Sequence, residues 1–329
     1  MPERPVRWGI LATGPMAAAF TQDLALIPDA DVVAVSSRSE ESARLFADRF
    51  GVPRAYRGWQ GMAADPDVDV VYVATPHSQH VAATTACLDG GKAVLCEKPF
   101  ALNRAQAASM TELAERKSLF LMEAMWTCLN PLVRRVRALL DEGVIGEVRS
   151  VHADFGVRAP AIPGHRLRDP AAGGGALLDL GTYPVSFAHL LLGPPDHVAA
   201  WAHLGGTGVD ESTSAVLGYE RGAMAVLTCS LASDSARGAV VHGTRGRIEF
   251  PADFYNPRTA VVRRDGHAPR TLVADPQTGH GYGHQAREVM RCLREKRTES
   301  PLVPLHGSLD VMGTLDRIRE LVGLRYPGE

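Results

Sequence analysis

The first 125 residues alternate short apolar segments with helix-favouring segments, and this alternation constrains the fold more than any other feature of the chain. The apolar segments are Val6–Ala12, Val32–Ser36, Val70–Ala74, Ala93–Cys96 and Leu119–Met122. Strands that are apolar at nearly every position belong to parallel sheets covered by helices on both faces. We therefore predict an α/β domain over residues 1–125, with a doubly wound parallel sheet whose ligands bind at the carboxyl ends of the strands.

The turn after the first predicted strand has the spacing of a dinucleotide-binding motif. In the pattern G-x-G-x-x-G/A, Gly14 and Ala17 fill the second and third positions, whereas Ala12 replaces the first glycine. Gly14 leaves room for a pyrophosphate, and the N-terminus of the following helix offers it N–H groups. A tight turn without a ligand is the alternative interpretation. The residues predicted to bind the cofactor here are Ala12, Thr13, Gly14, Pro15 and Met16.

The end of the second predicted strand indicates which nicotinamide cofactor is preferred. An acidic residue there would bind the ribose 2′-hydroxyl of NAD, but this chain has Ser37 and Arg38 instead. A guanidinium pairs well with a 2′-phosphate, and the missing carboxylate removes a repulsion from it. We predict that Ser37 and Arg38 contact the cofactor, with NADP(H) preferred and NAD(H) possible. The alternative is a solvated loop arginine.

The third predicted strand also ends in residues suited to a cofactor edge. Thr75 and Pro76 end the strand, and His77 and His80 follow where a helix opens. We assign all four residues to cofactor binding, although His80 taken alone is more typical of a structural histidine.

Glu97 and Lys98 follow the fourth predicted strand. An amine at a strand end beside a dinucleotide site can reach a substrate oxygen next to the nicotinamide ring. We therefore predict that Lys98 contacts both cofactor and substrate, and we assign Glu97 to the cofactor edge. The alternative for Lys98 is a solvated loop lysine.

The second half of the chain is rich in strand-forming segments. They are Val148–Phe155, His197–Leu204, Thr213–Tyr219, Ala223–Leu231, Ala239–Gly243, Arg247–Phe250 and Thr259–Arg263. Hairpin turn signals between them favour a large, mostly antiparallel open sheet. Helices are expected at 131–140, near 175–192, and at 284–296 and 306–323. We predict an α+β domain over residues 126–329.

The strand over residues 223–231 bears on the oligomeric state. One face of an antiparallel sheet can pack on helices, and the other meets solvent or a partner. The segment Ala-Met-Ala-Val-Leu-Thr-Cys-Ser-Leu is too apolar for a face in water. We therefore expect a homodimer that forms through this sheet.

Composition excludes several classes of function. The formal net charge of -2 gives no electrostatic footprint for nucleic acid or an anionic membrane. The apolar runs fall short of the roughly 20 residues that span a bilayer, so no membrane partner is predicted.

The five cysteines are scattered and odd in number, which favours a reducing, cytoplasmic compartment. His77 with His80 and His280 with His284 lack further ligands, so no metal is predicted.

The order of these motifs resembles the glucose–fructose oxidoreductase / inositol dehydrogenase (Gfo/Idh/MocA) family. The motifs are the dinucleotide turn, Ser37-Arg38, Thr75-Pro76 with His80, and Glu97-Lys98-Pro99. The resemblance covers nearly the whole chain. The stretches 122–126 (MEAMW) and 173–183 (GGGALLDLGTY) are similar to the dimeric dihydrodiol dehydrogenase and NADP-dependent D-xylose dehydrogenase subgroup.

The resemblance implies specific roles for residues of the second half. In the family motif Asp-x-Gly-x-His, Asp179 and Gly181 match, and Tyr183 stands in place of the histidine, as in the subgroup. The resemblance implies that Lys98 and Tyr183 carry catalysis and that Asp179 supports them. It further implies that Trp126 and Phe155 line the substrate pocket, that the substrate is a sugar, polyol or cyclic diol, and that the protein is a homodimer.

The chemistry of these residue types agrees with those roles. Tyrosine has a pKa of about 10, which a nearby ammonium such as Lys98 and the oxidised nicotinamide ring would lower. Lys98 would also donate to the developing alkoxide. Asp179 and Tyr183 are four residues apart and would share a helix face, with a kink expected near Gly181 and Pro184. Whether Lys98 or Tyr183 takes the proton stays open.

Two other functions are compatible with the motif order. One is an NAD-dependent glycoside hydrolase-type enzyme of the same fold, and the other is a non-catalytic nucleotide-sensing regulator.

Several side chains are also open to two interpretations. Tyr282 either closes over the nicotinamide end or packs, and the loop 155–172 carries candidate substrate-binding or merely surface charges at Arg158, His165, Arg166 and Arg168.

Overall fold

The computed structural model describes residues 4–160, 162, 164–327 and 329. The chain divides into two compact units. The first contains residues 1–101, 105–124 and 277–308, and the second contains residues 102–104, 125–276 and 309–329. Within the described ranges, no helix is both long and apolar enough to cross a membrane.

The first unit is built on a six-stranded parallel sheet with the order β3-β2-β1-β4-β5-β6. The strands are β1 Val6–Leu11, β2 Ala30–Ser37, β3 Arg54–Arg57, β4 Val70–Val73, β5 Ala93–Cys96 and β6 Leu121–Glu123. From β1 the sheet extends in one direction through β2 and β3 and in the other through β4, β5 and β6. This reversal of direction confirms the predicted doubly wound sheet. Strands β4 and β5 are buried at every position, as their continuous apolar sequence predicts.

Helices connect these strands. They are α1 Pro15–Leu24, α2 Glu40–Phe50, α3 Trp59–Ala64, α4 His80–Asp89 and α5 Arg104–Lys117. Helix α2 shows how local sequence sets the boundaries: the Ser39 side chain accepts a hydrogen bond from the Ser42 N–H, and Gly51 ends the helix at φ 68°. The core between α1 and the sheet contains the fully buried rings of Trp8, Phe20 and Tyr72.

The second unit is built on an eight-stranded sheet with the order β14-β13-β12-β11-β7-β10-β9-β8. The strands are β7 Val148–Gly156, β8 His197–Leu204, β9 Asp210–Gly218, β10 Met224–Ser230, β11 Ala239–Gly243, β12 Gly246–Phe250, β13 Thr259–Arg264 and β14 Arg270–Val273. Every neighbouring pair is antiparallel except β7 and β10, so the predicted mostly antiparallel sheet is confirmed.

Helices α6 Pro131–Asp141 and α7 Thr182–Leu192 belong to the second unit, and a π-helix at Leu177–Gly181 leads into α7. Asn130 caps α6 as expected, because its side chain accepts from the N–H groups of Leu132 and Val133. The chain ends with α8 Gly283–Arg294 and α9 Leu305–Val322.

The compact units differ from the sequence-based division in one respect. A boundary near residue 125 matches the start of the second unit, but residues 277–308 group with the first unit instead of with 126–329. The reason is hydrogen bonding: the Leu121 N–H donates to the Thr298 carbonyl, and Arg294 pairs with Asp29 at 2.6 Å. Sequence pattern alone shows no sign of this return.

Candidate active site

Backbone hydrogen bonds bring the predicted cofactor residues of the first unit to one edge of the parallel sheet. The N–H groups of Ala12, Ala74 and Glu97 donate to the carbonyls of Ser36, Leu11 and Val73, each at 2.9 Å. The turn at 12–16, the pair Ser37-Arg38, Thr75 and the pair Glu97-Lys98 therefore all follow strand ends at this edge. Ligands of doubly wound sheets bind at such an edge.

The turn between β1 and α1 is shaped for an anion. Gly14 precedes α1 with no side-chain cap, and the first helical turn carries no acidic residue. A Cβ added to Gly14 would meet nothing within 4 Å, and its φ of -75° suits any residue. Packing within the described protein therefore does not require this glycine. An open space beside uncapped N–H groups fits the pyrophosphate of a dinucleotide.

Ala12 occupies the position of the motif's first glycine with a φ of 109°. This is backbone that glycine adopts readily and alanine rarely does. The turn thus keeps the geometry of the motif although the residue has changed.

The end of β2 carries the two residues predicted to select the cofactor. The hydroxyls of Ser37 and Thr13 lie 3.4 Å apart, so the strand end contacts the dinucleotide turn. Arg38 follows and is exposed.

His80 supports the segment that carries Lys98. Its ring is fully buried, with Nδ1 2.8 Å from the Pro99 carbonyl and Nε2 3.1 Å from the Thr75 carbonyl. Burial lowers the pKa of His80 to about 4, so the ring is neutral near pH 7. His77 is also buried, whereas Pro76 is exposed and Lys98 is half-buried. His80 thus connects the Lys98–Pro99 segment to the end of β4, and its assignment to cofactor binding stays a prediction.

Two buried carboxyl groups flank the same segment. Glu97 accepts from the Tyr72 hydroxyl and, at 3.2 Å, from the Lys98 N–H. Glu123, at the end of β6, accepts from the Ser308 hydroxyl at 2.6 Å and takes a backbone hydrogen bond from Phe100. Burial raises the pKa of Glu123 to about 7. The sequence interpretation missed Glu123, although a lone acidic residue at the end of an apolar strand was an available signal.

An aromatic cluster surrounds Tyr183 in the second unit. The Trp126 indole Nε1–H donates to the Tyr183 hydroxyl at 3.2 Å, and the Phe155 ring lies 5.3 Å from the Tyr183 ring. All three side chains are buried. The structure therefore brings together the three aromatic residues that the family resemblance placed at the substrate.

Tyr255 completes this cluster and was missed by the sequence interpretation. Its ring stacks on Phe155 at 4.5 Å with an interplanar angle of 12°, and lies 5.5 Å from the Tyr183 ring. The Thr127 hydroxyl donates to the Tyr255 carbonyl at 2.7 Å. Burial raises the pKa of Tyr255, which keeps the phenol protonated. Its loop has neither strand nor helix periodicity, so no pattern pointed to it.

Asp179 lies in the π-helix instead of the regular helix that the spacing predicted. Pro184 has no N–H to donate to the carbonyl four residues before it, and a wider turn accommodates this loss. Asp179 and Tyr183 are both buried, on either side of the junction between the π-helix and α7. π-helical turns are frequent at functional sites.

Arg166 is the loop arginine that reaches a predicted site residue. Its Nη1 lies 3.2 Å from Asp179 Oδ1, and its side chain is 53% exposed. Arg168 instead pairs with Glu211, and the His165 Nδ1 accepts from the Leu167 N–H at 3.4 Å. Ala161 and Pro163 of this loop lie outside the described residues.

Two family models match the two parts of this chain. The model of the GFO/IDH/MocA C-terminal domain matches residues 133–249, and the model of the oxidoreductase family with an NAD-binding Rossmann fold matches residues 6–125. The trans-1,2-dihydrobenzene-1,2-diol dehydrogenases of Bos taurus and Mus musculus are 36% and 37% identical, over 98% of this chain and 98% of each relative.

A solved structure is similar over the same length. It is a 3-ketoreductase from Actinomadura kijaniata in complex with NADP and TDP-benzene, 28% identical with a TM-score of 0.88, covering 97% of this chain and 98% of that chain. The similarity extends over nearly the full length of both chains. The chain therefore belongs to the Gfo/Idh/MocA family and is an NAD(P)-dependent oxidoreductase.

Proposed function

We propose that this protein is an NADP-dependent oxidoreductase that transfers hydride between the cofactor and a hydroxyl or carbonyl of a sugar, polyol or cyclic diol. The observation that carries the proposal is the hydrogen bond from the Trp126 indole to the Tyr183 hydroxyl inside an aromatic cluster. A hydrogen bond donated to a tyrosine oxygen stabilises the phenolate, which is the form that takes a proton from a substrate hydroxyl.

Tyr183 and Lys98 divide the proton chemistry. In oxidation, the Tyr183 oxygen takes the proton of the substrate hydroxyl, and the Lys98 ammonium donates a hydrogen bond to the developing alkoxide. The bound nicotinamide ring supplies the hydride acceptor. In reduction the Tyr183 hydroxyl returns the proton. Asp179, held by Arg166, orients the substrate or the Lys98 amine.

The aromatic cluster supports the substrate class. Aromatic rings offer apolar faces to the C–H groups of a sugar ring or of a cyclic diol. Polar groups such as the Tyr183 hydroxyl form hydrogen bonds with the substrate oxygens. Relatives named for a dihydrodiol and for a 3-keto substrate agree with a secondary alcohol or ketone on a ring.

Arg38 supports NADP over NAD. It is exposed at the end of β2, next to Ser37 and with no carboxylate at the position that would bind a 2′-hydroxyl. We expect Arg38→Ala to weaken NADPH binding at least tenfold, which is the size of one charge-assisted hydrogen bond. NADH binding should change little. Equal losses for both cofactors would contradict the 2′-phosphate role.

The exposed face of the second unit's sheet supports a homodimer. Trp201, Val216 and Met224 lie on β8, β9 and β10, and these residues are 68%, 39% and 47% exposed. Exposed apolar side chains on adjacent strands mark an interaction surface. Light scattering at micromolar concentration tests this, and a monomer mass would refute it.

The cysteines support a reducing compartment, in line with a cytoplasmic location. All five are free thiols, and Cys87, Cys96, Cys229 and Cys292 are buried. Fractionation of the source cells tests the location, and recovery outside the cytoplasm would contradict it.

An absorbance screen tests the proposed reaction. The protein is incubated with NADP or NAD and a panel of aldoses, inositols and cyclic diols, and in reverse with NADPH and keto-sugars. We expect net NADPH formation or consumption, and we expect Lys98→Met to abolish it while NADPH still binds. Glycoside cleavage without net NADPH formation would instead favour the hydrolase-type reaction, and retained turnover in Lys98→Met would remove Lys98 from the mechanism.

A further inference from the structure

A segment from the end of the chain is fixed against the helix of the dinucleotide motif. The Asp23 carboxylate, in the last turn of α1, accepts from the backbone N–H groups of His280 and Tyr282, each at 2.7 Å. The His280 Nε2 also lies 2.8 Å from the Gln22 Oε1. Asp23 is only 2% exposed, so the carboxylate is shielded from water and depends on these backbone donors.

The approach of the two segments depends on a glycine. Gly279 has a φ of 69°, and a Cβ added there would lie 2.2 Å from the Asp23 Oδ1. Any side chain at this position would therefore push the carboxylate away. The fit is specific to the glycine, the aspartate and two backbone donors.

This anchoring places the Tyr282 side chain at the opposite end of α1. Its hydroxyl lies 3.7 Å from the Met16 Sδ, and Met16 is the second residue of the helix. A thioether is a weak acceptor for a phenolic O–H. The phenol thus lies at the helix end that has no side-chain cap and no acidic residue, where an anionic oxygen would be a much stronger acceptor.

We propose that Tyr282 is a cofactor-binding residue whose hydroxyl donates to the dinucleotide's diphosphate, and that Asp23 is the positioning residue that holds it there. This inference rests on the proposed dinucleotide site. It adds a residue from the last part of the chain to a site otherwise formed by the first hundred residues.

Binding of two ligands by fluorescence or calorimetric titration tests the proposal without turnover. NADPH contains the diphosphate, whereas adenosine 2′-monophosphate retains the adenosine end with its 2′-phosphate and lacks both phosphates of the diphosphate as well as the nicotinamide. We expect Tyr282→Phe to weaken NADPH about tenfold, the size of one charge-assisted hydrogen bond, and to leave the fragment unchanged. Tyr219→Phe is the matched control, because that hydroxyl donates to the Gly193 carbonyl in the other unit.

An NADPH affinity within twofold of wild type in Tyr282→Phe would overturn the proposal, as would equal weakening of both ligands. Failure of the unmodified protein to bind NADPH would overturn the dinucleotide site itself, so the two failures are distinguishable.

Asp23→Asn tests the positioning role. The amide keeps the size of the carboxylate but offers one acceptor oxygen in place of two. We expect the same selective loss of NADPH affinity, and no further loss when Tyr282→Phe is added, because both changes remove one contact. Additive losses in the double variant would refute the role of Asp23.

Discussion

The two units build their candidate sites from different materials. At the dinucleotide turn of the first unit the binding groups are backbone: N–H groups at an uncapped helix end, beside Gly14, where an added Cβ would meet nothing within 4 Å. In the second unit they are side chains, with Trp126, Phe155 and Tyr255 packed around Tyr183. At the dinucleotide turn a substitution should cost function where its Cβ intrudes on the ligand, whereas around Tyr183 the removal of one polar atom should be enough.

The largest expected effect is in the side-chain site. Tyr183→Phe removes a single oxygen, and we expect kcat to fall about a thousandfold, because general acid–base catalysis contributes roughly 10²–10⁴. Steady-state kinetics and an NADPH titration measure the two sites separately, and NADPH affinity should stay within about twofold. A variant that keeps a tenth of the wild-type kcat would show that Tyr183 is not the proton-transfer group.

The next effect concerns a side chain beneath the backbone site. The pKa of Glu123 is raised from 4.5 to about 7, so the folded state holds its proton more tightly than the unfolded state. This stabilisation is complete below pH 4.5 and is lost as the pH rises through 7, by about 3 kcal/mol at about 1.4 kcal/mol per pKa unit.

Denaturant unfolding between pH 4.5 and 8 measures this loss. The free energy of unfolding should fall with pH by about 3 kcal/mol more in the wild type than in Glu123→Gln. Glu112→Gln, on an exposed part of α5, is the control and should follow the wild type. Parallel curves for wild type and Glu123→Gln would show that Glu123 ionises normally.

A smaller effect tests the backbone site directly. Gly14→Ala places a methyl group in the space open to the pyrophosphate, and we expect NADPH affinity to fall about tenfold or more, roughly 1.4 kcal/mol. The thermal midpoint should not fall, because the added Cβ meets nothing and φ is -75°. Unchanged NADPH affinity would mean that the pyrophosphate does not approach this turn.

The smallest effect is on stability alone. Ala12 has a φ of 109°, which costs a non-glycine residue roughly 1–3 kcal/mol, while glycine adds about 0.5–1 kcal/mol of chain entropy. We therefore expect Ala12→Gly to raise the free energy of unfolding by about 1 kcal/mol, measured by urea denaturation. A destabilised Ala12→Gly would show that the methyl group contributes packing that outweighs the backbone cost.

The same contrast explains what the sequence could predict. Helix α2, with Ser39 before it and Gly51 after it, and the continuous apolar strands β4 and β5 follow from local rules. The short strands β3 and β14 were not predicted, because Arg54–Arg57 and Arg270–Val273 have too few apolar residues to show a period.

The candidate sites divide in the same way. Residues at strand ends, such as Gly14 and Lys98, could be located because the ends of parallel strands meet at one edge. Tyr255 could not, because its place beside Tyr183 depends on an irregular loop. A kink near Gly181 and Pro184 could be predicted, but the π-helix at Leu177–Gly181 could not, since the four-residue spacing of Asp179 and Tyr183 also suits an ordinary helix. The catalytic roles of Lys98 and Tyr183 stay predictions.

The return of residues 277–308 to the first unit has a consequence for synthesis. The chain leaves the ribosome from its N-terminus, so β6 and α1 emerge long before the Thr298 carbonyl and the His280 N–H that complete their hydrogen bonds. The first unit cannot complete its fold until some 150 residues of intervening chain have been synthesised. Until then the Asp23 carboxylate lacks its two backbone donors. A fragment of residues 1–125 should accordingly fold poorly. A fusion of residues 1–125 with residues 277–308 should fold and bind the cofactor.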